Sequence, residues 1–369
     1  MRLRCPWWQR PNASRTRVPG EHVIGRWALL ALLAAILSPI VMSAGASASS
    51  SAEALVVDGD PVLTLVPGGG DTIYAAGRNG LYRTDDGGQI WTTAGPAPPD
   101  GRVIVAEGDP TLLLAGDHPP CARGGGEPPI LHRSGDGGAS WQSVAGGEGV
   151  QPLAAWADAG IALGAACDGL HLSVDGGATW EPLAVDLEGS EVTAFAPIRL
   201  EGEAPVSGLV ATTSEGGTSR LWRLDLADPA ALVKGPVLKE FWGLGALVAT
   251  GDTILLGTAD GVWRSDDSGV SWTRQRSGLE GVTLADDPLV AGVPPDVEPK
   301  SFGVAALWLD PADGDHVLAG AADGVYASRD RGATWERLDG VDGPVVVLAI
   351  VPDTGGVLAG TEDGVVLLT

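Results

Sequence analysis

Carboxylates, hydroxyls and indoles recur together in this chain at a fixed spacing. Five segments read Ser/Thr-x-Asp-x-Gly-x-(Thr/Ser/Ile)-Trp. The first holds Thr84, Asp86, Gly88 and Trp91, and the second Ser134, Asp136, Gly138 and Trp141. Ser173, Asp175, Gly177 and Trp180 make the third, and Ser265, Asp267, Gly269 and Trp272 the fourth. Ser328, Asp330, Gly332 and Trp335 complete the set. This pattern is a staple for a tight turn. The Asp carboxylate accepts backbone N–H bonds from its own turn, and the Ser/Thr hydroxyl does so more weakly. Gly supplies a φ that other residues reach only at a cost. Trp is expected to enter the next strand and fix the hairpin with a large flat surface.

Other chemistry has less support. Glycoside hydrolysis needs two carboxylates facing one sugar, and so acidic a chain satisfies that on paper many times over. His118, His132, His171 and His316 lack metal-ligand spacing. Asp85-Asp86-Gly87 and Asp136-Gly137 look superficially like calcium loops, but the full twelve-residue loop is missing. The Gly-Gly pairs fall in hairpin turns, so no phosphate-binding loop is expected. No metal or cofactor is predicted.

The elements that position the turns follow from the repeat, which has to be read first. Each unit has an apolar first strand, a second ending in Ala/Gly, a third, the stapled turn, and a fourth opened by Trp. Unit one is Val62–Leu65, Thr72–Ala76, Gly80–Arg83 and Gln89–Thr93; unit two is Arg102–Ala106, Thr111–Ala115, Ile130–Arg133 and Ala139–Ser143. Unit three is Pro152–Trp156, Ile161–Gly164, Gly169–Leu172 and Ala178–Leu183. Unit four has Glu191–Ala196, Ser207–Thr212 and Arg220–Arg223, but Leu224-Asp-Leu-Ala-Asp replaces its stapled turn. Unit five is Gly243–Ala249, Thr253–Gly257, Gly261–Arg264 and Val270–Arg274; unit six is Gly303–Leu309, His316–Gly320, Gly324–Ala327 and Ala333–Leu338. Unit seven has Pro344–Ile350, Val357–Gly360 and Gly364–Leu368 and then stops, while Ala54–Val57 precedes unit one without a unit of its own. The leftover pieces match. The chain is therefore predicted to be all-β: a seven-bladed β-propeller of four-stranded antiparallel blades over residues 54–369, its last blade completed by the N-terminal strand. An open β-solenoid would need shorter and more uniform repeats.

The five motifs resemble the Asp-box, or BNR, repeat of sialidase-type propellers, xyloglucan-degrading propellers, sortilin-like receptor domains and the photosystem II assembly factor family. The resemblance implies the fold and leaves function open, since a propeller hosts many functions. The sialidase resemblance implies an Arg-Ile-Pro motif, an Arg triad, a Tyr nucleophile and an Asp acid/base. No Arg-Ile-Pro occurs here; Pro197-Ile-Arg199-Leu has the wrong order. Tyr82 and Tyr326 share a strand column with His132, His171, Trp222 and Trp263. Arg83, Arg133, Arg223 and Arg264 form the next column, and such recurrence argues for blade-to-blade packing or salt bridging. Trp156, Trp242 and Trp308 fall outside both columns, in or beside first strands, and are the candidates for a ligand surface at the channel mouth. The assembly-factor resemblance implies docking of a partner protein, although that family is associated with a basic face and this chain is acidic.

Residues 1–48 read as a secretory signal: six arginines from Arg2 to Arg26, an apolar run Trp27–Met42 broken by Pro39, and Ala46-Ser47-Ala48 as cleavage site. Retention of residues 27–42 as a membrane anchor is the alternative. Cleavage removes six of the 23 basic and one of the 47 acidic residues, leaving 17 and 46, a formal charge of −29. That charge repels phosphates and excludes a nucleic-acid partner. Cys121 and Cys167 remain and are expected to pair in an exported chain. The sequence thus predicts a secreted, non-catalytic interaction module for an unidentified protein or cell-surface glycan; the alternative is a glycan-active hydrolase or lyase of the BNR-repeat type. The insertions Asp117–Pro129 and Leu279–Pro299 are where function could have been added.

Overall fold

A computed structural model describes residues 53–55, 62–98, 102–116, 128–198, 207–213, 219–226, 232–238, 246–250, 252–258, 261–267, 269–279, 303–310, 313–351, 355–361 and 363–368. The 1–48 leader, Cys121, Trp242, His118 and nearly all of both insertions lie outside the described residues.

The chain enters with β1 (Glu53–Leu55) and then repeats one meander. Blade one is β2 (Val62–Gly69), β3 (Thr72–Gly77), β4 (Gly80–Thr84) and β5 (Thr92–Pro96). Blade two is β6 (Arg102–Ala106), β7 (Asp109–Gly116), β8 (Ile130–Ser134) and β9 (Gln142–Glu148). Blade three is β10 (Gln151–Trp156), β11 (Ile161–Ala166), β12 (Gly169–Ser173) and β13 (Glu181–Pro182). Blade four is β14 (Glu191–Ile198), β15 (Ser207–Thr213), β16 (Ser219–Asp225) and β17 (Val233–Leu238). Blade five is β18 (Ala246–Thr250), β19 (Thr253–Thr258), β20 (Gly261–Ser265) and β21 (Thr273–Gln275). Blade six is β22 (Val304–Leu309), β23 (Val317–Ala321), β24 (Gly324–Ser328) and β25 (Glu336–Arg337). Blade seven is β26 (Val347–Ile350), β27 (Val357–Thr361) and β28 (Gly364–Leu368), and β1 pairs antiparallel with β28 as its fourth strand. The N-terminal strand closes the ring, as the strand count requires.

First strands touch in the order β2, β6, β10, β14, β18, β22, β26 and back to β2, so they form the inner wall of a closed ring. Alternation within each strand sends apolar side chains into the seams between blades. Ile104 and Ala106 of blade two pack with Val150, Ala155 and Trp180 of blade three, for example.

One expectation needs correction. Fourth strands do not open on Trp; β5, β9, β13, β21 and β25 each begin one residue later. In three turns the indole N–H is turned back onto the carbonyl of the motif glycine: Trp180 to Gly177 at 3.1 Å, Trp272 to Gly269 at 3.0 Å and Trp335 to Gly332 at 3.1 Å. Trp therefore belongs to the turn, and pairing starts only beyond it. Blade seven's first strand also starts later than expected, at Val347 rather than Pro344.

Candidate functional site

Among the described residues the recurring turns carry a dense set of polar bonds. In blade three, the Ser173 hydroxyl donates to Asp175 Oδ1 at 2.8 Å and accepts the Gly177 N–H at 2.8 Å. Asp175 Oδ1 accepts the N–H groups of Ala178 and Thr179 at 3.0 and 2.9 Å, and Oδ2 accepts the Thr179 hydroxyl at 2.7 Å. Blade six repeats this bond for bond around Ser328, Asp330, Gly332 and Thr334. Thr84, Ser134 and Ser265 bond in the same way to Asp86, Asp136 and Asp267. The first turn has Ile90 where others carry Ser or Thr, so Asp86 receives only the Ile90 backbone N–H there.

These bonds act on the ionised carboxylate and favour it. The Ser140 hydroxyl, then its N–H, holds Asp136 down at about 2. The Thr179 hydroxyl does the same for Asp175, also to about 2, against a smaller opposing push from burial. Burial pushes Asp267 and Asp330 up, but the N–H and hydroxyl groups of Ser271 and Thr334 outweigh it and both end low. Asp86 is lowered first by the Ile90 N–H. Among the described residues, every carboxylate with a displaced pKa is displaced downward.

The turns also fasten blades together. Arg133 Nε of blade two donates to the Gly176 carbonyl in the turn of blade three at 2.9 Å. Arg264 Nη1 of blade five reaches the Asp330 carbonyl in the turn of blade six at 2.8 Å while its Nη2 pairs with Asp266 at 2.7 Å. A backbone contact supports each latch. The Trp180 N–H donates to the Ala145 carbonyl at 3.3 Å, and the Trp335 N–H to the Ser277 carbonyl at 3.0 Å. Glycine makes that approach possible: a Cβ at Gly146 would lie 2.3 Å from the Trp180 carbonyl oxygen, and one at Gly278 1.6 Å from that of Trp335. Arg133 and Arg264 of the arginine column are thus inter-blade connections, whereas Arg83 bonds within its own blade, to Asp85 and Tyr74.

The aromatic column is packing. Tyr82, Trp222 and Tyr326 are buried, as is His171, whose Nε2 meets Asp168 Oδ1 at 2.7 Å. Tyr326 donates to Asp323 at 2.9 Å, and burial, reinforced by that bond, pushes its pKa up to about 12, which keeps the phenol protonated. Trp156 is 5% exposed and sits edge-on to Phe195, so it presents little area to a ligand. Trp308 packs partly buried in the seam to blade seven, with its ring edge-on to His316. Among the described residues no His/Cys/Asp/Glu group could hold a metal ion.

Arg102 was not among the residues the sequence singles out. It opens β6, and the seven inner strands carry only one other ionisable side chain, Glu191. Arg102 is exposed and makes no ion pair or hydrogen bond among the described residues. Burial nevertheless pushes its guanidinium below the usual arginine value, and no carboxylate offsets this. Arg102 pairs with Gly116 on the same rung as Thr64 with Ala76 and Gln151 with Ala165, counting from the stapling hydroxyl. Blades four to seven fill that rung with Ala194, Ala246, Ala306 and Val347. A charged residue opening an otherwise apolar first strand was the available signal.

No protein-family model matches the chain, and no curated protein sequence matches it. Solved structures do. YCF48 bound to D1 peptide is similar with a TM-score of 0.55 at 18% identity, covering 87% of this chain and 94% of that one. The GH74 xyloglucanase from Xanthomonas campestris has a TM-score of 0.50 at 17% identity, covering 81% of this chain and 50% of that one. The extracellular domain of BT4673 from B. thetaiotaomicron has a TM-score of 0.53 at 12% identity, covering 86% of this chain and 39% of that one. At these identities the likeness is one of fold: the chain is a seven-bladed β-propeller, consistent with the Asp-box-like propellers.

Proposed function

We propose that this chain is a non-catalytic interaction module that docks a protein or a cell-surface component through one face of the ring. The observation that carries the reading is the fate of the carboxylates. Acid–base catalysis uses a pair of groups whose environments push their pKa values apart, one of them upward. Among the described residues the displaced carboxylates all move the same way, and the recurring ones hold their own turns. Of the recurring arginines, Arg133 and Arg264 are likewise occupied, by the turn of the next blade. YCF48 with its D1 peptide supports such a role by analogy of fold, while the xyloglucanase keeps glycan hydrolysis as the second reading.

The docking face is the end of the ring opposite the stapled turns. First-to-second and third-to-fourth connections share one end, as the bonds from Gly137 to Thr111 and from Gly176 to Gly160 show. The strand ends that bracket both long connections, Gly116/Ile130 and Gln275/Val304, lie at the other end. Residues 1–48 are proposed to direct export, and Cys121 and Cys167 to pair in the oxidising compartment reached. Among the described residues no helix is long and apolar enough to cross a membrane.

Thermal unfolding of the purified protein against a panel of glycans and candidate surface proteins, with glycan release assayed in parallel, tests the reading. Stabilisation by a protein or an intact glycan without turnover is expected. Released sugar would move the chain to the hydrolases.

A further inference from the structure

Blade one departs from blades three, five, six and seven at the turn between its second and third strands. In those four blades the turn ends in Asp-Gly, at Asp168-Gly169, Asp260-Gly261, Asp323-Gly324 and Asp363-Gly364. Their second and third strands stay paired up to the glycine, Ala166 with Gly169, Thr258 with Gly261, Ala321 with Gly324 and Thr361 with Gly364. Each of those glycines has a φ between +113° and +145°. Blade one has Asn79-Gly80 in the same place, and the only other asparagine of the chain is Asn12 in the leader. Its pairing stops at Ala76 with Leu81, one rung short of Gly80, and the φ of Gly80 is not positive. Arg78 and Asn79 are both exposed.

We propose that Asn79 is a site of spontaneous deamidation, which turns a neutral turn into an acidic one. The backbone nitrogen of Gly80 attacks the side-chain carbonyl carbon of Asn79. The carbon–nitrogen bond of the amide breaks, and ammonia leaves with the Gly80 proton. Water then opens the cyclic imide at either carbonyl. One opening gives aspartate; the other gives isoaspartate, in which the main chain runs through the side-chain carbon. Asparagine is thermolabile, and a following glycine has no Cβ to block the approach and the most freedom to turn. In the Asp-Gly turns the closing rung fixes the glycine against the facing strand, and blade one lacks that rung. Aspartate is what four other blades carry at this position, so the fold accommodates that product. Second-to-third turns lie at the end of the ring opposite the stapled turns. Each event therefore adds a negative charge to the end proposed for docking, in a chain already at −24. The reaction does not depend on docking: a failed partner search leaves it standing, and a stable amide leaves the docking face standing.

The purified protein is held folded at mildly alkaline pH, digested with pepsin in acid so that digestion adds no deamidation of its own, and followed by mass spectrometry. The peptide that carries Asn79 should gain the mass that exchanges an amide NH2 for a hydroxyl. It should also separate into aspartate and isoaspartate forms, the latter accepting a methyl group from an isoaspartyl methyltransferase. Gly80→Ala should lose the amide several-fold more slowly. That variant is expected to fold, because its Cβ would lie 3.4 Å from Tyr82 Cζ, an ordinary contact. Asn79→Asp should gain no mass and unfold at the parent's temperature. An amide retained in the folded protein over the time in which the denatured chain loses it would overturn the proposal. So would an equal rate in Gly80→Ala, or an Asn79→Asp protein that unfolds earlier than the parent.

Discussion

Two neighbouring seams of this propeller are built by different chemistry. Between blades two and three, the stapled turn of blade three meets Arg133 and the backbone of Ala145, with Gly146 letting the chains approach. Between blades three and four the sequence has Leu224-Asp225-Leu226 in place of the stapling Ser/Thr-x-Asp. Leu224 stands on the rung that Ser173 occupies one blade earlier and is fully buried. Leu187, Leu226 and Trp222 gather around it, with Leu172 in the place where blade two has its arginine. At these two seams Arg133 stands where blade three offers a turn carbonyl, and Leu172 stands where blade four has Leu224 in place of the stapling hydroxyl. The turn carbonyl has its donor and the leucine has its hydrocarbon.

Substitutions sharpen the comparison. Gly278→Ala should have the largest effect, because its φ is +84° and its Cβ would fall 1.6 Å from a backbone oxygen of the next blade. Denaturant unfolding should show a loss of about 3 kcal/mol or more. Leu224→Ala, at the apolar seam, should cost about 3 kcal/mol by the same measurement. Ser173→Ala leaves the buried Gly177 N–H without its acceptor, for about 1–3 kcal/mol. Arg133→Ala removes one hydrogen bond at a half-buried site and should cost about 1 kcal/mol. An Arg133→Ala loss as large as that of Leu224→Ala would mean that the two seams do not differ as described.

The pH dependence is the smallest effect and has a definite sign. Asp175 is held at about 2 in the fold against an ordinary 3.8. Its ionised form is therefore favoured by folding. The stabilisation is present above the ordinary value and is lost as pH falls through the folded one. The difference in unfolding midpoint between the parent and Asp175→Asn should hold from neutral pH to about pH 4 and shrink toward about pH 2. A difference that grows on acidification would contradict the assignment of these bonds.

Much of this was legible in the sequence for a definite reason. Ring closure leaves an arithmetic trace, a strand missing at one end and spare at the other, and β1 beside β28 is that trace realised. Arg83, Arg133 and Arg264 each sit before a stapling hydroxyl, so repetition marked the column, and Arg133 and Arg264 bond to the next blade. The start of the fourth strands was misjudged because a tryptophan has high strand preference, and only geometry reveals that its N–H returns to the glycine carbonyl. Trp156 was a reasonable candidate by position, but an inner-strand side chain can face a seam as easily as the channel, and sequence does not say which. Arg102 escaped notice because it occurs once, and repeat analysis rewards what recurs.

The central claim is that the stapled turns are connections between blades and do not form a site. Hydrogen exchange followed by mass spectrometry on Ser173→Ala tests it most directly. Faster exchange is predicted in the turn of blade three and also across the seam, in the outer strand of blade two around Ala145 and Gly146, with the leucine seam around Leu224 unchanged. Faster exchange confined to residues 173–180, with blade two unaffected, would contradict it.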